Sequence, residues 1–361
     1  MNKSLVRTAM CGCAGVVAAG CLQDRRPAQH PELTLVDSVM LQQSGSEYVG
    51  LPSGFAVLPG EGGFLVSDLR NRTVHRFGPD GTHQQQLGRA GQGPGEFPAP
   101  PTALALDGDS ILFVRTGWAG LQVINLRTRT FRDPRELPGN AHVIAASNGR
   151  VYFRAMDPET RTSVGVLASG SDSIGRGGPY PAPLADYPVL ALAPISMAAV
   201  GVIGPDSVAV ALQTSDYVFW GTLERQDSIR VPAIRRQGSR RDLLQEIALN
   251  PEEAGPDIVY TPSLPVAVAR MSAARLAVVF DDLQLTEDRR FIGESFLSVV
   301  DTGLRRVCPD APLPVLPDSR PPLTAIRGDT LFTLGQDVRG VEAVVAVRKY
   351  VVRTETCRWR S

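Results

Sequence analysis

The chain has 361 residues, 43% hydrophobic and 20% charged, with 37 basic side chains against 37 acidic ones. That is too apolar for a disordered chain and ample for one or two cores, while the neutral balance argues against nucleic acid as a partner. No apolar run reaches the roughly eighteen residues of a membrane-spanning helix, and 35 glycines with 29 prolines favour many short elements, hence an all-β chain.

Residues 1–20 read as an export signal: Lys3 and Arg7 form a positive start, Ala9 to Val17 an apolar stretch, and Ala18-Ala19-Gly20 a small-residue cleavage site. Cys21 follows, so Val17 to Cys21 resembles the lipobox of bacterial lipoproteins, with Ala18 where that family usually has Leu. The resemblance implies that Cys21 becomes the acylated first residue of an envelope protein. Leu22 stands where some bacteria place an Asp to retain lipoproteins at the inner membrane, which leans towards the outer membrane and periplasm. Residues 21–32 are polar with two prolines, as suits a tether. Ordinary secretion, with Cys21 incidental, is the plainer alternative.

From residue 33 to 361 the chain repeats itself. Six times a Pro precedes a short apolar strand, then a polar turn, then a second apolar strand. The first strands begin near Pro52, Pro101, Pro138, Pro194, Pro265 and Pro322, and the second start at Phe64, Leu112, Val151, Val208, Leu276 and Leu331. Third strands are read at Val74–Phe77, Leu121–Leu126, Ser163–Leu167, Tyr217–Leu223, Phe296–Val300 and Val344–Val351, with weaker polar fourth strands such as His83–Leu87. Four antiparallel strands recurring about every fifty residues describe the blades of a six-bladed β-propeller. Two β-sandwiches explain the turns but not the recurrence. Leu33–Leu41 is a strand in search of a partner and the natural closure of the ring. Between the fourth and fifth blades, Ser239 to Asp242 form a capping box before an amphipathic stretch, which predicts a short inserted helix near 239–249. Arg235, Arg236, Arg240 and Arg241 lie beside it, opposed by Glu246, Glu252 and Glu253. They read either as a self-neutralised surface or as a dock for acidic groups. Once Cys11, Cys13 and Cys21 are set aside, Cys308 and Cys357 remain, and an exported pair predicts a disulfide.

The first unit is the best defined. Val66, Asp68, Asn71, Phe77, Asp80-Gly81 and the run Gly91 to Phe97 resemble an NHL-type repeat, as found in six-bladed propellers of bacterial envelope lipoproteins. The resemblance implies fold; it says little of function, because propellers host binders, scaffolds and enzymes alike. Gly88 to Gly95 does not make a phosphate loop, since no helix can open at the EFPAPP that follows.

Residues after the second strands should face one mouth of the channel. Asp68, Arg70, Arg115, Arg154, Asp157, Asp281, Asp282 and Asp337 are therefore the candidates for binding a polar ligand, with Asp216 and Gln336 nearby. Asp68 and Asn71 serve equally well as braces of their turn, and the whole ring serves equally well as a solvated rim. The four histidines, His30, His75, His83 and His142, are too few and too scattered for a propeller lyase, and no G-x-S-x-G elbow is present. No catalytic motif or cofactor is implied. A divalent cation enters only with the lactonase-like alternative, in which Asp157, Asp281 and Asp337 would gather around it. The sequence thus describes a lipid-anchored binding module for an unknown protein or polar ligand, with an envelope scaffold or a metal-dependent hydrolase as alternatives.

Overall fold

The computed structural model describes residues 30–43, 48–60, 62–117, 120–138, 144–157, 160–168, 170–178, 198–212, 216–231, 263–285, 291–314, 321–339 and 342–361. Every regular element among them is a β-strand. Blade 1 consists of Pro52–Val57, Phe64–Asp68, Thr73–Phe77 and His83–Leu87, each paired antiparallel with the next. The corresponding first strands of blades 2 to 6 are Pro101–Asp107, Ile144–Ser147, Ala198–Gly204, Leu264–Ser272 and Leu323–Arg327. Each first strand touches the first strands of both neighbouring blades, so the six form a closed inner ring. The chain is a six-bladed β-propeller.

The second strands read as unbroken apolar runs because both of their faces are buried. Successive side chains point to opposite faces of a strand, and here each face meets a different blade. In blade 5, Leu276, Val278 and Phe280 pack towards blade 4, while Ala277 and Val279 pack towards blade 6. Among the described residues each of the six seams holds one such apolar cluster. Fully burying one of these large side chains contributes roughly 1.5–3 kcal/mol, so the seams hold the disc together. Blades approach closely near the axis. A Cβ on Gly201 of blade 4 would lie 1.8 Å from the carbonyl oxygen of Val268 in blade 5.

The ring closes through the N-terminal strand Glu32–Met40. It is the outermost strand of blade 6 and runs antiparallel to Glu342–Arg353, with Glu32 opposite Arg353 and Met40 opposite Ala346. A register shift between Leu35 and Asp37 interrupts the ladder. The outer edge of blade 5 is covered by the C-terminal tail. Val307 and Arg360 exchange backbone hydrogen bonds of 2.7 and 2.8 Å, and Trp359 lies 4.5 Å beneath the Arg306 guanidinium. The disulfide Cys308–Cys357 fastens this tail to the fourth strand of blade 5, Arg306–Pro312. Thr356 Oγ1 also donates to the carbonyl of His30 at 3.1 Å, so the tail meets the start of the closing strand.

Some boundaries differ from the sequence reading. The outer edge of blade 2 is split into Thr130–Phe131 and Arg135–Glu136, both paired with its third strand. The split follows from Asp133-Pro134, because proline cannot donate to a ladder. The predicted helix near 239–249 and its arginines lie outside the described residues, as does Cys21. The Gly-rich run is a tight connection between blades. Gly88 has a φ of 72° against the ring of buried Phe97, and Glu96 accepts from the Gly93 N–H and from Arg89 Nε, both at 2.8 Å. Those donors hold the Glu96 carboxyl below its ordinary value, the Gly93 amide contributing most.

Candidate ligand-binding surfaces

In this topology all turns between second and third strands emerge on one face of the disc. In blade 1 that turn is organised by Asp68, which is fully buried. Its carboxylate accepts from the backbone N–H of Gly50 (2.7 Å), Leu51 (3.0 Å), Arg70 (2.9 Å) and Asn71 (3.2 Å), and from Asn71 Nδ2 (2.7 Å). Gly50 and Leu51 belong to the link from the closing strand, so one carboxylate ties that link to the turn. Arg70 stands exposed at its tip.

The remaining candidates divide by burial. Arg115 and Arg154 follow residues that face the preceding blade, so alternation turns them into the next seam, where they are 1% and 2% exposed. Arg115 Nη1 donates to the carbonyls of Thr116 (3.2 Å) and Gly120 (3.0 Å). Burial lowers both guanidinium pKa values to about 10, which leaves them charged at neutral pH. Asp157 pairs with Arg176 across blade 3 and caps the Thr160 N–H at 3.3 Å, while Asp216 pairs with Arg230 in blade 4. In blade 5, Asp281 accepts from Ser295 Oγ at 2.6 Å and its neighbour Asp282 from Ser263 Oγ. Burial pushes the Asp281 carboxyl up to about 7; Ser295 pulls it down and the Asp282 charge pushes it up again. Asp337 is placed on the second strand of blade 6, opposite Val344.

The described side chains among them form no single cluster. Most are engaged with their own blade, each holding a turn or a strand end. Among the described residues no three His, Cys, Asp or Glu side chains gather as a metal site requires.

The opposite face carries a feature that residue-by-residue reading missed. A cavity of about 420 Å³ opens at the seam of blades 6 and 1, within the size range of small-molecule pockets. Phe64, Phe332, Val39 and Val347 supply its apolar wall; Asp37, Arg327 and Lys349 supply charge. Lys349 Nζ lies 6.0 Å from the Phe332 ring centre, and Arg327 Nη1 donates to the Leu58 carbonyl at 2.8 Å. Its residues come from three stretches at opposite ends of the chain and meet only once the ring has closed. The glycines of the first turn were its one local signal: Gly62 and Gly63, with φ of 94° and 114°, line the cavity without filling it.

No family model matches the chain, and no curated protein sequence matches it significantly. Solved structures do. The chain is similar to a DUF4221 family member from Bacteroides vulgatus, with a TM-score of 0.62 at 10% identity, over 90% of this chain and 99% of that one. It is also similar to a Bacteroides fragilis protein described as exported, with a TM-score of 0.59 at 12% identity, over 90% and 95% of the two chains. The likeness is one of fold. It spans the propeller nearly end to end, and at these identities it carries neither residues nor activity across.

Proposed function

We propose that this protein is an exported, lipid-anchored β-propeller, NHL-like in its first blade, that acts as a binding module of the cell envelope. Cys21 is its acylated residue, residues 21–32 its tether, and the outer membrane its site. The observation that carries the reading is the position of the closing strand. The tether would enter the disc at Glu32, on the outermost strand of blade 6, so an anchor there holds the propeller by its rim and leaves both faces clear. Two further observations support export: the Cys308–Cys357 disulfide suits an oxidising compartment, and one fold neighbour is itself described as exported. Binding is favoured over catalysis because most of the described charged side chains near the second-strand ends are engaged with turns and seams, whereas the seam cavity is open and amphipathic.

The test is to express the wild-type chain and Cys21→Ala in a bacterial host fed labelled palmitate, then fractionate the cells. Wild type should carry label and sediment with the outer membrane, and Cys21→Ala should lose both properties. An unlabelled wild-type chain in the soluble fraction would refute the anchor.

A further inference from the structure

A second cleft, of about 410 Å³, lies one seam further round the same face, between blades 1 and 2, and shares Gly62 with the first. Its character is different. Arg76 and Gln85 approach from the outer strands of blade 1, Asp109 from the first turn of blade 2, and Arg127 and Arg129 from the turn after that blade's third strand. Three guanidinium groups thus face one carboxylate among the described lining residues.

That carboxylate is already committed. Both Asp109 oxygens accept from Arg127 Nη2, at 2.8 and 2.6 Å, and this contact holds the Asp109 carboxyl below its ordinary value. The turn that carries Arg127 is braced as well, because Asn125 Oδ1 accepts from the backbone N–H of Arg127 (2.9 Å) and Thr128 (3.0 Å). The same turn presents Arg129 in the left-handed region, at a φ of 60°, with its side chain exposed. Among the described residues no carboxylate pairs with Arg129 or Arg76. Arg76 is half-buried, and its Nε is buried without a hydrogen-bond acceptor in the protein. A guanidinium N–H in that position is normally satisfied. Arg76 thus lines the cleft with its Nε buried and with no carboxylate among the described residues holding its guanidinium.

We propose that this cleft binds a phosphate or diphosphate group. Arg76 and Arg129 would be its recognising forks, and Arg127, held by Asp109, a fixed third charge. Planar guanidinium groups match paired phosphate oxygens. The cleft exceeds the size of one phosphate, which leaves room for the organic part of an ester beside Gln85 and Gly62. The proposal stands on the cleft alone and is independent of how the chain is anchored.

The same phosphate chemistry can come from a soluble ester or from a lipid headgroup, and two titrations of the full chain separate them. One uses inorganic pyrophosphate, followed by calorimetry. The other uses vesicles containing phosphatidylglycerol, followed by sedimentation. Arg129→Gln, at an exposed site, should weaken binding at least tenfold and Arg76→Gln at least as much. Arg353→Gln, which removes the same charge from the exposed end of blade 6, should change affinity less than twofold. Arg129-dependent binding of pyrophosphate identifies the soluble source, and Arg129-dependent binding of vesicles alone identifies the headgroup. Absence of binding to both probes, or equal loss in Arg129→Gln and Arg353→Gln, overturns the proposal.

Discussion

Asp281 is a carboxylate that the fold prefers to keep protonated. Its folded pKa of about 7 exceeds the roughly 3.9 of an unfolded aspartate. Between those values the folded state binds the proton more tightly, so stability is highest at the acid end and falls as pH rises from about 4 towards about 7. Urea unfolding should show this group costing up to about 4 kcal/mol once fully ionised. Asp281→Asn, which stays neutral, should remove that decline and leave the variant the more stable chain above about pH 7. Identical pH dependence in the two proteins would dispose of the argument. The aspartates most visible in the sequence were legible to different degrees. Asp68 and Asn71 announce a braced turn by their spacing, because a short side chain readily reaches the backbone amides two or three residues on. The pair Asp281-Asp282 reads as the polar end of a strand. Its strand instead continues to Leu285, and both side chains are enclosed. Length of pairing depends on the partner strand Phe291–Asp301, which no local pattern reveals.

At the scale of elements, the inner ring sets the tightest constraint. Gly201 sits where the first strands of blades 4 and 5 nearly touch, and its absent side chain is what lets Val268 approach. Gly201→Val should destabilise the chain by about 3 kcal/mol or more, as overpacking with backbone displacement does, seen as an earlier denaturant midpoint or as insoluble protein. Gly60→Ala is the matched control, since a Cβ there meets nothing within 4 Å, although its φ of 79° still costs about 1 kcal/mol. A denaturant midpoint for Gly201→Val no lower than that of Gly60→Ala would refute the close-approach reading. The second strands were the most legible elements. Burial on both faces demands an apolar residue at every position, and such runs stand out between Gly, Asp and Asn turns. Fourth strands were the least legible, because an outer strand needs only half its side chains apolar, as in His83–Leu87 with its exposed glutamines. The closing strand was legible as a strand; its place in blade 6 follows from the ring having one vacant edge.

For the whole molecule, the six seams make closure a cooperative matter, and the Cys308–Cys357 bond guards the place where both ends of the chain arrive. Closing a loop with a sequence separation of 49 residues stabilises by about 4 kcal/mol on the chain-entropy model. Cys308→Ala with Cys357→Ala should therefore lower the melting temperature by several degrees. Reductant should do the same to wild type and nothing further to the double variant; equal melting of all forms would show the bond to be dispensable. At this scale the number of blades was readable from periodicity, whereas the cavities were not. Each lies between two blades, and the walls of the first join residues 37–39 to residues 327–349.

Synthesis runs from the N-terminus, yet the first strand of the disc to be made pairs with the last. Until Glu342–Arg353 has been made, Glu32–Met40 has no place in the ring, and Leu35, Val36 and Met40, about half exposed even in the finished disc, wait without any cover. An unfinished propeller is thus an open arc with a free strand at its leading end, prone to pair with whatever edge it meets first. The register interruption after Leu35 shortens the stretch that a wrong partner could match. Closure of the ring is consequently a late event in folding, completed only when the first strand of the disc meets the last.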